Sequence, residues 1–189
     1  MSLRCYWGFC HRTDNDLTAG IPSGISIFEA SILARLSLTL PGIIRHDRYH
    51  AYLTMTRIAQ GVSIDTVWQE YLHFPAPKAT GRRDRPARTG DSSLAIYLQW
   101  PRPPLPGGWV EHTVRDDIHA LANVTTRAHF LYPGYIIRWI EREADGAIVS
   151  YTLGRGIGMM PETNENKGAE MFMDLDGQIQ RSLASRARR

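Results

Sequence analysis

The chain has 189 residues, of which 43% are hydrophobic and 22% are charged, and its formal net charge is +3. These values are typical of a globular protein with one domain and a sizeable core. Helical membrane spans are excluded, because no apolar run reaches the roughly 18 to 20 residues that cross a bilayer. The start of the chain shows no signal-peptide pattern, so we expect a cytoplasmic protein.

The first 49 residues are predicted to form an N-terminal extension, irregular apart from one helix, ahead of a domain at 50–189. Residues 1–24 contain Cys, Gly, Pro, Asn and Asp without a clear period. A helix is predicted from Ser26, because Ser26 and Glu29 have the spacing of a capping box and apolar residues follow at helical spacing. A short extended piece is expected to end this segment at Pro41-Gly42.

Two candidate metal sites occur in this part of the sequence, and neither is favoured. Cys5, Cys10 and His11 lie close together, but a structural zinc ion needs four ligands and no second cysteine pair exists. His46 and His50 would share one face of a helix. In a strand they would lie about 13 Å apart, too far for one ion. No metal and no cofactor are therefore predicted.

A strand is predicted at Tyr52–Ala59, followed by a helix that begins at Ser63 and carries apolar residues on one face. Pro75 and Pro77 stop this helix. A loop with five basic residues and one acidic residue follows at Lys78–Arg88, and we expect it to be mobile.

The second half of the chain reads as a series of strands joined by turns. Alternation of apolar side chains predicts the strands, which are Leu94–Trp100, Trp109–Val114, Val124–Tyr132, Tyr135–Arg142 and Ile148–Leu153. Pro101–Gly108 is predicted to be a connection, and Asp145-Gly146 a hairpin turn. Asp116–Ala122 fits either a bulged strand or a short helical turn.

A glycine-rich turn at Gly154–Gly158 and a long helix from about Asn164 are predicted to end the chain. Phe172, Leu175, Ile179 and Leu183 form one apolar stripe on this helix, which needs an apolar surface to lie on. The upstream strands can supply that surface. The predicted fold is therefore α+β, with a curved antiparallel sheet wrapped around a long C-terminal helix.

Two pieces of the sequence carry a resemblance to a known family. Thr54–Phe74, a strand followed by a helix with a Val-Trp pair, and Ile148–Leu183, a strand followed by the closing helix, resemble the START-like or SRPBCC helix-grip superfamily. That superfamily includes polyketide cyclases and pollen-allergen-like ligand carriers. The resemblance covers about residues 50–185, and the basic loop stands where the family has a second helix.

The resemblance implies an apolar pocket between the sheet and the last helix, where a hydrophobic small molecule or lipid binds. The side chains expected to line it are aromatic or contain sulfur: Trp68, Tyr97, Phe130, Trp139, Tyr151, Met171 and Phe172.

Whether the chain is an enzyme is left open by the sequence. A cyclase or isomerase that uses the same pocket is the second hypothesis. It would need an acid–base or oxyanion-stabilising group there. The candidates are His129 and Arg138, and Asp116 and Glu141 are further candidates. No spacing ties these residues together.

A third hypothesis is an interaction module that contacts anionic partners through the basic loop Lys78–Arg88. Nucleic acid is disfavoured as a partner, because the sheet lacks an interleaved aromatic and basic face. We expect residues 1–49 either to cover the pocket mouth or to build a homodimer contact.

Overall fold

A computed structural model describes residues 3–6, 9–12, 17, 20–77, 82–97, 105–158 and 161–186. Within these residues the chain forms one eight-stranded sheet and four α-helices. The strands are β1 Leu3–Tyr6, β2 Phe9–Arg12, β3 Tyr49–Gln60, β4 Ser92–Tyr97, β5 Leu105–Arg115, β6 Ala120–Thr125, β7 Gly134–Arg142 and β8 Ala147–Ile157. The helices are α1 Ser23–Arg35, α2 Leu40–Ile44, α3 Ile64–Tyr71 and α4 Pro161–Arg186.

The strand order is β1-β2-β3-β8-β7-β6-β5-β4, and every neighbouring pair is antiparallel. The first strand of the predicted domain, β3, pairs with the last strand, β8, over nearly its whole length. The helix α3 and the strands from β4 onward lie between them in the chain. The predicted α+β fold, a curved antiparallel sheet with a long C-terminal helix, is confirmed.

One side of the sheet, which we call the α4 face, is covered by α3 and α4. The apolar stripe predicted for the last helix is buried there, with Leu175 and Ile179 fully inaccessible. Tyr52, Ile140 and Ile148 come from three strands to meet this stripe. The helix begins at Pro161, three residues before the predicted start.

The opposite side, which we call the α1 face, is covered by the N-terminal residues. Phe28 and Ile32 of α1 pack with Ile137 and Leu153 of the sheet in a second apolar cluster. The sheet is therefore covered on both sides, which explains why most side chains of β7 and β8 are buried. An apolar strand with both faces covered shows little alternation in its hydrophobicity.

A buried ion pair joins α1 to this face. Glu29 Oε1 accepts hydrogen bonds from Arg155 Nε at 2.8 Å and from the Tyr135 hydroxyl at 2.7 Å. Burial, reinforced by the neighbouring Glu29, raises the pKa of Tyr135 well above its ordinary value, so the phenol stays protonated and donates. Removal of either charged partner would leave the other buried without compensation.

The N-terminal predictions need three corrections. Residues 1–24 are not all irregular, since β1 and β2 form a hairpin whose second strand pairs with β3. Helix α1 begins at Ser23 after Pro22, without a side-chain cap, so the capping box predicted at Ser26 does not form. The piece expected to be extended ends inside α2, which Thr39 caps by accepting from Gly42 N. Pro41 suits the first turn of such a helix because its missing N–H has no partner there.

Three strand and turn predictions are also corrected or resolved. The strand predicted at Val124–Tyr132 ends at Thr125, and two backbone turns follow, in which His129 N bonds Thr126 O and Tyr132 N bonds His129 O. Asp116–Ile118 forms one 3₁₀ turn, which resolves the ambiguity there. Part of the predicted proline-rich connection belongs to β5, which starts at Leu105.

The glycines Gly154 and Gly156 lie within β8 rather than in a turn. A Cβ on Gly154 would lie 2.4 Å from the Tyr52 ring, and one on Gly156 would lie 3.0 Å from the His50 ring. These glycines therefore make room for two aromatic side chains of β3 on the α4 face. The turn predicted at Gly154–Gly158 is wrong, because glycine here allows close packing within a strand.

The described part of the segment after α3, from Arg82 onward, makes several contacts with the rest of the protein. Arg82 is paired with the buried Glu70, and Arg85 with Asp91. Backbone bonds from Arg83 N to His73 O and from Ala87 N to Leu72 O fix its course. Residues 78–81 of the predicted loop lie outside the described residues. The start of α3 is as predicted, since Ser63 caps it by accepting from Thr66 N.

Candidate functional site under the C-terminal helix

A row of polar side chains crosses the α4 face at its centre. The strand register places Thr54 of β3 opposite Thr152 of β8, and Thr152 opposite Arg138 of β7. Thr56 and Ser150 form the next pair along β3 and β8. All five side chains are at most 1% exposed, so this row lies in the interior beneath α4.

Asp176 of α4 completes the row from the helix side. Its Oδ1 accepts from Arg138 Nη2 at 2.8 Å and from Ser150 Oγ at 3.0 Å. Arg138 Nη1 also donates to Phe74 O at 2.6 Å. Burial raises the pKa of Asp176, while the Arg138 guanidinium and the hydroxyls of Ser150 and Thr56 oppose that rise. The helix and the sheet are therefore joined by a fully buried ion pair.

Two aromatic rings enclose this ion pair. The Arg138 guanidinium carbon lies 4.3 Å from the centre of the Tyr71 ring and 5.5 Å from that of Phe172. The Tyr71 hydroxyl is 2.8 Å from Ser150 Oγ, and since Ser150 donates to Asp176, Tyr71 donates to Ser150. Burial raises the pKa of Tyr71 far above its ordinary value, so this donor is retained. The rings supply cation–π attraction in place of the water that the guanidinium has lost.

Several polar atoms of this site have hydrogen-bonding capacity left. Thr54 Oγ1, Thr152 Oγ1 and Arg138 Nε are buried and make no hydrogen bond to the described residues. A buried polar group without a partner costs about 1–3 kcal/mol. Such groups are few in native proteins and call for an explanation. These unpartnered atoms lie together in the interior beneath α4.

The helix approaches the sheet closely at one end of the site. The Tyr52 ring lies between Gly154 of β8 and Gly168 of α4, and a Cβ on Gly168 would lie 2.6 Å from that ring. Glu165 of α4 accepts from the backbone N–H of Ala51 at 3.0 Å. These contacts fix the position of the helix relative to β3.

The residues predicted to line the pocket are divided between the two faces. Trp68 and Phe172 lie in the apolar cluster of the α4 face. Trp139 and Tyr151 lie on the α1 face, where their rings stack with centroids 5.1 Å apart. Phe130 lies in the turn before β7 and is 51% exposed.

Two further pocket predictions lie at the margins of the site. Met171 is partly buried on α4, beside Phe172. The backbone of Tyr97 ends β4, and its side chain is outside the described part of the chain.

The candidate catalytic residues lie apart in the chain and have separate partners. Arg138 points inward and is held by the contacts given above. His129 lies in the turn between β6 and β7, 4% exposed, and its Nδ1 accepts from Leu131 N at 3.1 Å. Burial lowers the pKa of His129 to about 4. Asp116 and Glu141 accept from the indole N–H groups of Trp68 and Trp139, respectively.

Sequence reasoning missed the hydroxyls of the row and the carboxylate that faces them. Two signals were present. Thr54 and Thr56, and likewise Ser150 and Thr152, are polar at every second position of a strand, which places them on one face. Asp176 lies inside the apolar stripe of α4, next to Leu175 and one turn before Ile179, where a charged residue needs a buried partner.

Among the described residues no helix is both long and apolar enough to cross a membrane, and no group of three His, Cys, Asp or Glu side chains could hold a metal ion. His46 is near Asp47 at the surface, whereas His50 is buried in β3, so the two histidines do not share a helix face. Cys5 and Cys10 face each other in the β1–β2 register, and their side chains are outside the described part.

The order of elements from β3 to α4, with the long last helix lying against the antiparallel sheet, is that of the helix-grip fold. Among solved structures, the crystal structure of Ara h 8.0201 matches with a TM-score of 0.52 and 9% identity, covering 72% of this chain and 99% of that one. Protein Ms6760 from Mycobacterium smegmatis has 15% identity and a TM-score of 0.46, covering 71% of this chain and 91% of its own. At these identities the likeness concerns the fold alone. No model of a known family and no curated protein matches the chain.

Proposed function

We propose that the chain binds a hydrophobic small molecule or lipid between the sheet and the C-terminal helix. The observation that carries this proposal is the pair of buried, unpartnered hydroxyls on the α4 face, Thr54 Oγ1 and Thr152 Oγ1, among aromatic and aliphatic side chains. A ligand that is mostly apolar and bears a hydroxyl or carbonyl group would complete their hydrogen bonds. A few polar groups in an otherwise apolar interior are typical of small-molecule sites.

The first test is native mass spectrometry of the protein purified from cells, together with a fluorescence titration by dansyl-undecanoic acid. We expect a retained small molecule, or saturable binding of the probe at one site per chain. The absence of both would refute the proposal.

The second test uses isosteric substitutions to ask whether the hydroxyls serve a ligand. Thr54→Val and Thr152→Val should each weaken binding about 5- to 10-fold if the hydroxyl bonds the guest, because a hydrogen bond contributes about 1 kcal/mol. Each should leave the stability of the free protein unchanged or raised, since an unpartnered polar atom is removed.

Thr125→Val is the matched control for these two variants. The Thr125 hydroxyl donates to Gly134 O and accepts from Gly134 N, both at 2.8 Å. We therefore expect this variant to lose stability while binding stays unchanged. A loss of stability in all three variants, with binding unaffected, would contradict a role for Thr54 and Thr152 in recognition.

A cyclase or isomerase is the second candidate, favoured by the buried positions of Arg138 in this interior and of His129 in the turn between β6 and β7. Binding without catalysis is the stronger proposal, because Asp176 and Phe74 O already occupy two donors of Arg138. Contact with anionic partners through the basic loop is less favoured, since Arg82 and Arg85 are paired with carboxylates of this chain.

A further inference from the structure

Three polar side chains form a continuous chain of hydrogen bonds across β4, β5 and β6, separate from the Arg138–Asp176 pair. Ser93 Oγ lies 2.7 Å from His112 Nε2, and His112 Nδ1 lies 2.7 Å from Asn123 Oδ1. The register places His112 directly opposite Asn123, and Ser93 diagonally across from His112. Neighbouring strands bring such positions within side-chain reach of each other.

The hydrogen-bond partners determine which atoms donate. Asn123 Nδ2 donates to Pro75 O at 2.8 Å, so its Oδ1 is the atom turned towards His112. A carbonyl oxygen only accepts, and therefore His112 Nδ1 carries the proton. In the neutral ring Nε2 is then an acceptor, and Ser93 Oγ–H donates to it. This is the arrangement that activates a serine nucleophile, with His112 as the base and Asn123 as the group that orients it.

The surroundings favour the neutral imidazole that a general base requires. Ser93, His112 and Asn123 are 5%, 1% and 3% exposed. Burial lowers the pKa of His112, and the charge of Arg83 lowers it further, while Asn123 and Asp91 oppose this. The base is therefore unprotonated at neutral pH.

Arg83 offers a positive group near this triad. Its Nη1 is buried and makes no hydrogen bond to the described residues, and it lies 3.9 Å from Asp91 Oδ2. A buried donor with an unused N–H is suited to a developing oxyanion, because electrostatic stabilisation is strongest away from water.

We propose that Ser93, His112 and Asn123 form a hydrolytic triad that cleaves esters of small apolar carboxylic acids. Ser93 Oγ attacks the acyl carbon as His112 Nε2 takes its proton, and the tetrahedral intermediate expels the alcohol, which receives that proton. Water then attacks the acyl-Ser93 ester, with His112 again taking and returning a proton. The products are the free acid and the regenerated serine.

The substrate class follows from the groups around Ser93. Val110 is its direct partner in the β4–β5 register, and Pro75 O accepts a hydrogen bond from Asn123, so two apolar residues adjoin the triad. The triad is nearly inaccessible, which favours a small acyl group. This proposal is independent of the ligand proposed under α4, because it uses other side chains and other strands.

The primary experiment is labelling of the full-length protein with a fluorophosphonate, followed by peptide mass spectrometry, alongside hydrolysis of p-nitrophenyl acetate and butyrate. We expect the label on Ser93, and a loss of hydrolysis of about 100-fold or more in Ser93→Ala. Ser92→Ala is the matched control, since the neighbouring Ser92 is exposed. It should keep both labelling and hydrolysis. An unlabelled wild-type Ser93, or full hydrolysis by Ser93→Ala, would overturn the proposal.

A pH profile distinguishes a positioning role of Asn123 from a purely structural one. Hydrolysis by the wild type should fall only below pH 6.5, the ordinary pKa of histidine, since that of His112 is lowered. Asn123→Asp places a carboxylate beside Nδ1, which should move this acidic limb upward by about one pH unit or more. If the limb does not move in a variant whose thermal unfolding remains cooperative, the network only ties the Pro75 segment to the sheet and the proposal fails.

Discussion

The buried ion pair between Arg138 and Asp176 gives the sharpest test of how the helix is held on the sheet. In Asp176→Leu the guanidinium would remain 0% exposed with only Phe74 O as a charge-stabilising acceptor. Removal of one partner of a buried pair destabilises by about 3–5 kcal/mol, because the remaining charge has lost both water and its counter-ion. We therefore expect a loss of this size in the free energy of unfolding.

The double variant distinguishes the effect of losing the ion pair from the effect of leaving one buried charge unpaired. In Arg138→Met/Asp176→Leu no charge is left unpaired, and replacement of a buried pair by apolar residues is often neutral or stabilising. We expect the double variant to be more stable than either single variant. Arg35 and Glu111 provide the surface control, since their side chains are 46% and 52% exposed. Glu111→Gln should cost less than about 1 kcal/mol.

The measurement is equilibrium unfolding in urea, followed by circular dichroism and by tryptophan fluorescence, with the slope checked for each variant. Losses that simply add in the double variant would show that the two residues are not coupled. If Asp176→Leu loses no more free energy of unfolding than Glu111→Gln does, the reasoning is refuted, because the guanidinium must then be hydrated.

Two further predictions follow from burial and from close approach. Acidification from pH 7 to pH 5 should lower the free energy of unfolding by about 1–2 kcal/mol through His129. The stabilising contribution of the neutral ring is complete above pH 6.5 and is lost as the pH falls towards the folded pKa of about 4. His129→Gln should lessen the pH dependence of urea midpoints, and an equal dependence would contradict this. Gly168→Ala should destabilise by about 1–3 kcal/mol despite a better helix propensity, because the new Cβ meets the Tyr52 ring. In the same helix the new Cβ of Gly177→Ala would contact only the end of the flexible Arg181 side chain. This variant should therefore be stabilised by up to about 1 kcal/mol, measured by thermal unfolding. Similar shifts in the melting temperature for both variants would refute the close approach of Gly168 to the Tyr52 ring.

Periodicity alone predicted the parts of the fold that depend on local spacing. The stripe of Phe172, Leu175 and Ile179 on α4 is buried as expected, and Ile137 and Trp139 share one side of β7 opposite Arg138. The hairpin at Asp145-Gly146 forms because glycine accepts the positive φ of 81° that the turn requires. These features need only the order of residues within one element.

The division of the aromatic residues between the two faces could not be predicted in this way. A period of two shows which side chains of a strand lie together, and not which helix covers them. Both sides of this sheet are covered, by α1 and by α4, so both are apolar. Trp139 and Phe172 therefore looked alike in the sequence, although they lie on opposite faces.

By itself, then, the sequence determined the antiparallel sheet and the amphipathic helix that closes it, because hydrophobic spacing within an element reflects what that element must bury. Tertiary structure alone decided which polar groups meet. Strand register set Thr54 opposite Thr152 and His112 opposite Asn123, and the docking of α4 brought Asp176 to Arg138. Those contacts join residues far apart in the chain, and their distances depend on pairing and packing that no local pattern encodes.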